Sequence, residues 1–220
     1  MNVIVFGATG MLGQGVLREC LLDDQIERVL TVGRTPTGRQ DPKLTELVRE
    51  DLTDFTAVEE RLSGYDACFF SLGVSSAGMT EDAYRRVTYD ITVAAAQTLA
   101  RLSPNSTFVY VSGQGTDSTE RGRTMWARVK GRTENALLAM PLETYLFRPG
   151  IIQPMHGATS KTRLYRLLYR LTTPLFPVLR RVAPRHVTTT ERVGRAMIAV
   201  ARSGAPRRIL ENPDINAAAG

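Results

Sequence analysis

The chain has 220 residues, 43% apolar and 23% charged, with 28 basic and 22 acidic side chains for a net charge of +6. That length fits one domain able to bury roughly 70% of its unfolded surface, and no run approaches the about 20 apolar residues of a membrane-spanning helix. The charge is uneven: Thr144 to Thr190 holds no Asp or Glu but eight basic residues (Arg148, Lys161, Arg163, Arg166, Arg170, Arg180, Arg181 and Arg185), against 20 basic and 22 acidic elsewhere, so the high pI belongs to one segment.

In chain order, the apolar run at 3–6 (VIVF) reads as a buried strand. It is too short for the core of an export signal and has no basic residue before it, so cytoplasm is the expected compartment. Glycines follow at 7, 10, 13 and 15, within a helical stripe of Leu12, Val16, Leu17, Cys20 and Leu21. Further strand-like runs lie at 29–32, 44–48, 67–72, 107–111 and 142–147. Between them run helical stretches, one carrying Val93, Ala94, Ala96, Gln97, Leu99 and Ala100. This alternation predicts an α/β fold, a doubly wound parallel sheet in a single domain spanning 1–220. The last helix is expected from about Thr190 to Arg202, with Thr188 and Glu191 at capping-box spacing and Ser203-Gly204 as its stop. Cys20 and Cys68 fall at buried positions and read as unpaired packing thiols. Neither they nor the two histidines have metal-ligand spacing.

The stretch GATGMLGQG, between a strand and an amphipathic helix, carries the first chemical signal. There the first glycine permits a tight turn, the second lets backbone amides approach a pyrophosphate, and the third lets helix and strand pack closely. Gly7, Gly10 and Gly13 fit these roles, which places a dinucleotide on Gly7, Ala8, Thr9, Gly10, Met11, Leu12 and Gly13, at the anion-favouring end of the helix. A purely structural turn is the alternative.

The spacing G-x-x-G-x-x-G, followed in order by Asp51-Leu52, Ser71-Leu72-Gly73, Tyr110-Val111-Ser112-Gly113, Lys130-Gly131 and Arg148-Pro149-Gly150, resembles the atypical or extended short-chain dehydrogenase/reductase family over about residues 1–155. The resemblance implies a Rossmann-like fold binding NAD(P), with epimerase- or dehydratase-like relatives. It implies that Asp51, with Leu52, meets the adenine, that Leu72 and Gly73 lie by its ribose, and that Pro149, Gly150 and Ile151 flank the nicotinamide. Where NAD-specific members carry an acid after the second strand, this chain has Gly33-Arg34. Arg34 suits a ribose 2′-phosphate, so NADP(H) is expected over NAD(H). The alternative is a solvated turn arginine.

The family's reaction centre pairs a tyrosine with a lysine four residues on, and adds a hydroxyl at the end of the fifth strand. Lys130 is present, but Trp126 occupies the tyrosine's place, and an indole N–H does not titrate near neutrality. Ser112 is either the substrate-binding hydroxyl or simply the end of the strand. Thr88 stands where many relatives carry Asn. His156, beyond Arg148-Pro149-Gly150, and Tyr89 are other candidate proton carriers. Two functions stay open: an NADP(H)-dependent oxidoreductase or epimerase-type enzyme on a small molecule, and a catalytically silent NADP(H)-sensing protein.

Residues 153–187 read as a small C-terminal, substrate-covering cap. Within it, Arg163, Arg166 and Arg170 alternate with Leu164, Leu167, Leu168 and Leu171, flanked by Tyr165 and Tyr169, as an amphipathic basic helix over 161–172. It reads as a lid over an anionic or lipid-like substrate, a helix packed on the domain or on a second subunit, or a membrane-surface contact. Without aromatics arrayed as a stacking platform, nucleic acid is not an expected partner.

Overall fold

Strand β1 (Asn2–Phe6) alternates its side chains between two helical layers. Val3 and Val5 join one core cluster, Ile4 and Phe6 another, and all four are at most 1% exposed. A strand buried on both faces requires covering layers on both, and the rest of the chain supplies them. The computed structural model describes residues 1–159, 176 and 181–220.

After β1 come α1 (Met11–Leu22), β2 (Arg28–Gly33), β3 (Leu44–Val48), α2 (Glu59–Leu62) and β4 (Ala67–Phe70). Then α3 (Glu81–Arg85) runs through a π-helical turn (Arg86–Asp90) into α4 (Ile91–Leu102), followed by β5 (Thr107–Val111), α5 (Met125–Leu138) and β6 (Glu143–Arg148). The chain continues as β7 (Ile151–Gln153), β8 (Val187–Thr189), α6 (Thr190–Ser203), β9 (Ile209–Glu211) and α7 (Asn212–Ala218).

The central sheet has seven strands in the order β3-β2-β1-β4-β5-β6-β9, all parallel. This is the doubly wound α/β architecture expected from the alternation. Its first half grows outward from β1 through β2 to β3, and its second half starts on the other side of β1 with β4. The carboxyl ends of β1 and β4 therefore flank the point where connectivity reverses, the place where open sheets hold their ligands. A second, two-stranded sheet pairs β7 with β8 in parallel, Ile152 opposite Thr188.

One helical layer rests α1 and α6 on Val3, Val5, Phe69 and Phe147, with Val16, Leu17, Cys20, Val193, Ala196 and Met197 filling the space. The other sets α4 and α5 over an aromatic row. Phe6 stacks on Phe70 at 5.0 Å, Phe70 lies 5.8 Å from Phe108, and Phe55 meets Phe6 edge-on at 5.8 Å. Offset and edge contacts of this kind contribute beyond the area they bury. Cys20 and Cys68 are both buried and free, as read from the sequence.

The C-terminal reading needs correction in two places. Helix α6 is capped by Thr189, whose hydroxyl accepts from the Arg192 N–H at 3.0 Å; Thr188 forms no capping box with Glu191, which is taken by His156 and Arg195. Nor is α6 the last helix: β9 adds a seventh strand and α7 follows it. Three strand residues and a seven-residue helix are too short to give a periodic signal. The basic helix expected over 161–172 lies outside the described residues.

Helices α1 and α6 cross where each carries a glycine. A Cβ on Gly15 would stand 2.5 Å from Thr190 Cβ and 2.9 Å from its carbonyl oxygen, whereas one on Gly194 would stand 2.8 Å from Glu19 Cγ and no nearer than 3.2 Å to the backbone, at Val16 Cα. Alanine at position 15 gains about 1 kcal/mol in helix propensity but collides with a backbone atom that cannot step aside. Gly15→Ala is therefore expected to lower stability by about 1–3 kcal/mol, and Gly194→Ala by less, as read from urea unfolding midpoints.

Candidate functional site

The turn after β1 is built from backbone alone. Gly7 adopts φ +80°, and its face is so close to the chain leaving β4 that a Cβ would lie 2.6 Å from Leu72 N. The Gly10 N–H donates to the Gly7 carbonyl at 2.9 Å, and the first bond inside α1 runs from Gln14 N–H to the Gly10 carbonyl at 2.8 Å. The N–H groups of Met11, Leu12 and Gly13 thus have no acceptor within the helix. Gly10 is the N-cap without a side-chain cap, and the first turn carries no acidic residue. The helix end keeps its partial positive charge for an anion, which such an end favours by about 0.3–1 kcal/mol or more when partly buried.

These groups open onto a cleft of about 660 Å³ lined by Gly7 to Leu12, by Thr31 to Thr35 with Thr37, and by Ser71 to Ser75. Of the residues expected to hold the dinucleotide, the structure gathers Gly7, Ala8, Thr9, Gly10, Met11, Leu12, Arg34, Leu72 and Gly73 around this one space. Ser71 ties the β4 side in place, its hydroxyl donating to the Phe6 carbonyl at 2.8 Å. Arg34 stands exposed at the rim and makes no hydrogen bond or ion pair among the described residues.

Other expected residues are not part of the lining. A Cβ on Gly13 would lie 2.0 Å from the Gly7 carbonyl oxygen, so Gly13 is a packing contact behind the turn. Leu52 is 2% exposed, drawn into the core beside Phe55. Asp51 is turned back on its own loop, accepting from the Thr53 N–H and hydroxyl, both at 2.7 Å. These bonds hold its carboxyl below the usual range. Pro149, Gly150 and Ile151 lie beyond β6. There Gln114 N–H donates to the Pro149 carbonyl at 2.9 Å, Gly150 N–H donates to Asn212 Oδ1 at 2.9 Å, and Ile151 is exposed at the start of β7.

At the end of β5, the Lys130 ammonium donates to the carbonyls of Val111 and Ser112 and lies 5.9 Å from the centre of the Tyr110 ring. Burial lowers its pKa to about 8, against the opposing pull of the Glu134 carboxylate one turn along α5. The Ser112 hydroxyl points inward, 2.5 Å from Glu134 Oε1 and 3.2 Å from the Phe147 carbonyl. Trp126 packs on the loop after β5, its indole edge 3.6 Å from where a Cβ on Gly115 would stand. His156, at φ +52°, is joined through Nε2 to Glu191 at 2.7 Å, and Arg195 holds the other oxygen of that carboxylate at 2.7 Å. Thr88 is buried in the π-helical turn. The neighbouring Tyr89 is half-buried, its ring 5.0 Å from the Arg132 guanidinium.

These are the features of a dinucleotide site, and comparison agrees. A family profile described as NAD(P)H-binding matches residues 7–167. The chain belongs to this NAD(P)H-binding family. Among solved structures it is similar to the Bordetella bronchiseptica enzyme WbmF in complex with NAD+, with 18% identity and a TM-score of 0.69 over 98% of this chain and 76% of the other. It is also similar to a UDP-N-acetylglucosamine 4-epimerase from Methanobrevibacter ruminantium bound to UDP-N-acetylmuramic acid, with 14% identity and a TM-score of 0.70 over 94% and 74%. At these identities the likeness is one of fold. A curated relative, "Protein FMP52-2, mitochondrial" of Scheffersomyces stipitis, is 30% identical over 156 residues, 69% of this chain. The chain spans 66% of that relative's length. Its name, shared by the other fungal relatives, overturns the expectation of a cytoplasmic protein: a strand in place of an export signal does not specify a compartment.

Around the glycine turn and the carboxyl ends of β5 and β6, sequence reading missed three groups. Glu134, fully buried, accepts from Ser112 and from both Nε and Nη2 of Arg148, whose guanidinium also reaches Ser118 at 2.6 Å and Glu211 at 3.4 Å. Its i+4 spacing from Lys130 was the available signal. Gln14 bonds Thr159 in both directions, at 3.1 and 3.2 Å, while donating to the Thr9 carbonyl at 3.2 Å. It thus joins the glycine turn to the segment after β7. His186 Nδ1 lies 3.1 Å from Gln114 Nε2 at the carboxyl edge of β5 and β6, a pairing without any sequence signal. Removing one partner of a buried ion pair strands the other, so Glu134→Ala is expected to destabilise the protein by about 3–5 kcal/mol, measured by denaturant unfolding.

Proposed function

We propose that the protein is an NADP(H)-preferring oxidoreductase or epimerase-type enzyme acting on a small molecule. The observation that supports it is the uncapped glycine turn of α1 opening on the cleft at the switch point, with Arg34 on the rim where the adenine ribose would lie. In this reading the diphosphate takes the N–H groups of Met11 and Leu12, and Leu72 and Gly73 line the ribose side, while Asp51 and Leu52, outside the lining, take no part. Arg34 forks onto the 2′-phosphate. Pro149, Gly150 and Ile151 flank the nicotinamide, whose ribose Lys130 holds. The solved neighbours bear NAD+ in one case and a UDP-sugar in another, consistent with a dinucleotide and a small polar substrate.

When bound, the dinucleotide supplies the hydride chemistry. The chain's share is orientation and the proton. With Trp126 in the tyrosine position and the Ser112 hydroxyl turned toward Glu134, proton transfer falls to a nonstandard group, such as His156 with its Glu191 partner, or to water. The substrate is a small anionic or lipid-like molecule, and most of the cap expected over 153–187 lies outside the described residues.

NADPH is expected to bind more tightly than NADH in a calorimetric titration, and Arg34→Ala to erase most of a difference on the order of 1.5–3 kcal/mol. Equal affinities in the unmodified protein would overturn the preference.

A second reading is favoured by Trp126 alone: a sensing protein that keeps the dinucleotide pocket without turnover. Trp126→Tyr restores a phenol one turn from Lys130, and for an enzyme it is expected to raise NADPH oxidation across a panel of aldehydes and ketones. Tight NADPH binding with no turnover by either form supports the sensor.

A further inference from the structure

The turn that carries Arg34 takes its shape from an acid that is not in the cleft lining. Thr37 lines the cleft, and its N–H donates to Glu46 Oε1 at 2.9 Å while its hydroxyl donates to the same oxygen. That hydroxyl in turn accepts from the Arg39 N–H at 3.2 Å. Thr37 sits between Pro36 and Gly38, the latter at φ +73°, so the chain reverses here and the threonine is the point at which it is fastened. Glu46 lies in β3 opposite Thr31, itself part of the lining, which places the anchor on the same sheet as the floor of the cleft. Among the described residues Glu46 forms no ion pair, and the two donors that hold its charge both belong to Thr37. Bonds to an ionised acceptor are roughly twice as strong as neutral ones.

We propose that Glu46 is a positioning residue for recognition of the ribose 2′-phosphate: through Thr37 it holds residues 34–37 in the turn that presents the Arg34 guanidinium to that phosphate. This rests on the reading of Arg34 given above. A carboxylate beside the adenine ribose has one other use, binding the 2′-hydroxyl of NADH directly, and it would then repel a 2′-phosphate. The geometry favours positioning, because Oε1 is engaged by Thr37 and Glu46 stands behind the lining rather than in it.

The test is titration of the full chain with NADPH and with NADH, for the unmodified protein, Glu46→Ala, Glu46→Gln and Thr37→Val. Glu46→Ala should weaken NADPH roughly tenfold and leave NADH within about twofold. Glu46→Gln keeps an oxygen acceptor at the same reach and should retain the preference. Thr37→Val, which keeps the backbone donor but not the hydroxyl, should fall between and serves also if the alanine variant does not fold. Retained preference in Glu46→Ala, or equal weakening of both nucleotides, overturns the proposal. Weaker NADH with stronger NADPH in both Glu46 variants overturns it in favour of direct ribose binding. If the unmodified protein does not prefer NADPH, the reading of Arg34 fails first and takes this one with it, an outcome visible before any Glu46 variant is made.

Discussion

A single backbone contact sets the geometry of the cleft: the Gly7 carbonyl occupies the space that a side chain on Gly13 would fill. Because helix and turn touch main chain to main chain, α1 starts hard against the end of β1, and its free N–H groups face the switch point instead of being lifted away from it. The same carbonyl accepts the Gly10 N–H, so one oxygen both closes the turn and seats the helix. A second close approach, Gly15 against Thr190, fixes α1 against α6 and so against the segment that follows β8. The glycine turn and α6 are thereby parts of one packed unit.

Electrostatics at the carboxyl end of β5 follow from burial. Lys130 is held by the last carbonyl of β5 and the one after it and desolvated toward a pKa of about 8, with Glu134 as a nearby opposing charge. Glu134 in turn is neutralised by a two-point bond from Arg148. None of these bonds involves Trp126, so the arrangement does not depend on the side chain at position 126. The lysine, serine and arginine of the motif order are thus joined through Ser112 and Glu134 alone.

The sheet and the glycine turn were legible because both rest on local signals. Runs such as VIVF and TFVYV are apolar throughout, as strands covered on both faces must be, and the glycines mark positions where a side chain has no room. Arg34 was legible through distance from the glycines along the chain. By contrast β9, α7 and the β7–β8 pair are too short for periodicity and are held by tertiary bonds, notably Asn212 between Gly150 N–H and the Val187 carbonyl. Asp51 and Leu52 show the limit of motif transfer: the letters match, while Thr53 and the core around Phe55 decide where the side chains go.

Gly150 carries a consequence for how such motifs are used. A Cβ there would lie 2.4 Å from the His186 carbonyl oxygen, just as one on Gly13 would strike Gly7. Both positions are obliged to be glycine by the protein's own atoms, whether or not anything ever enters the cleft. A descendant that had lost all affinity for nucleotides would keep both letters, and only a position such as 34, exposed at the rim of the cleft, would be free to drift and so reveal the loss.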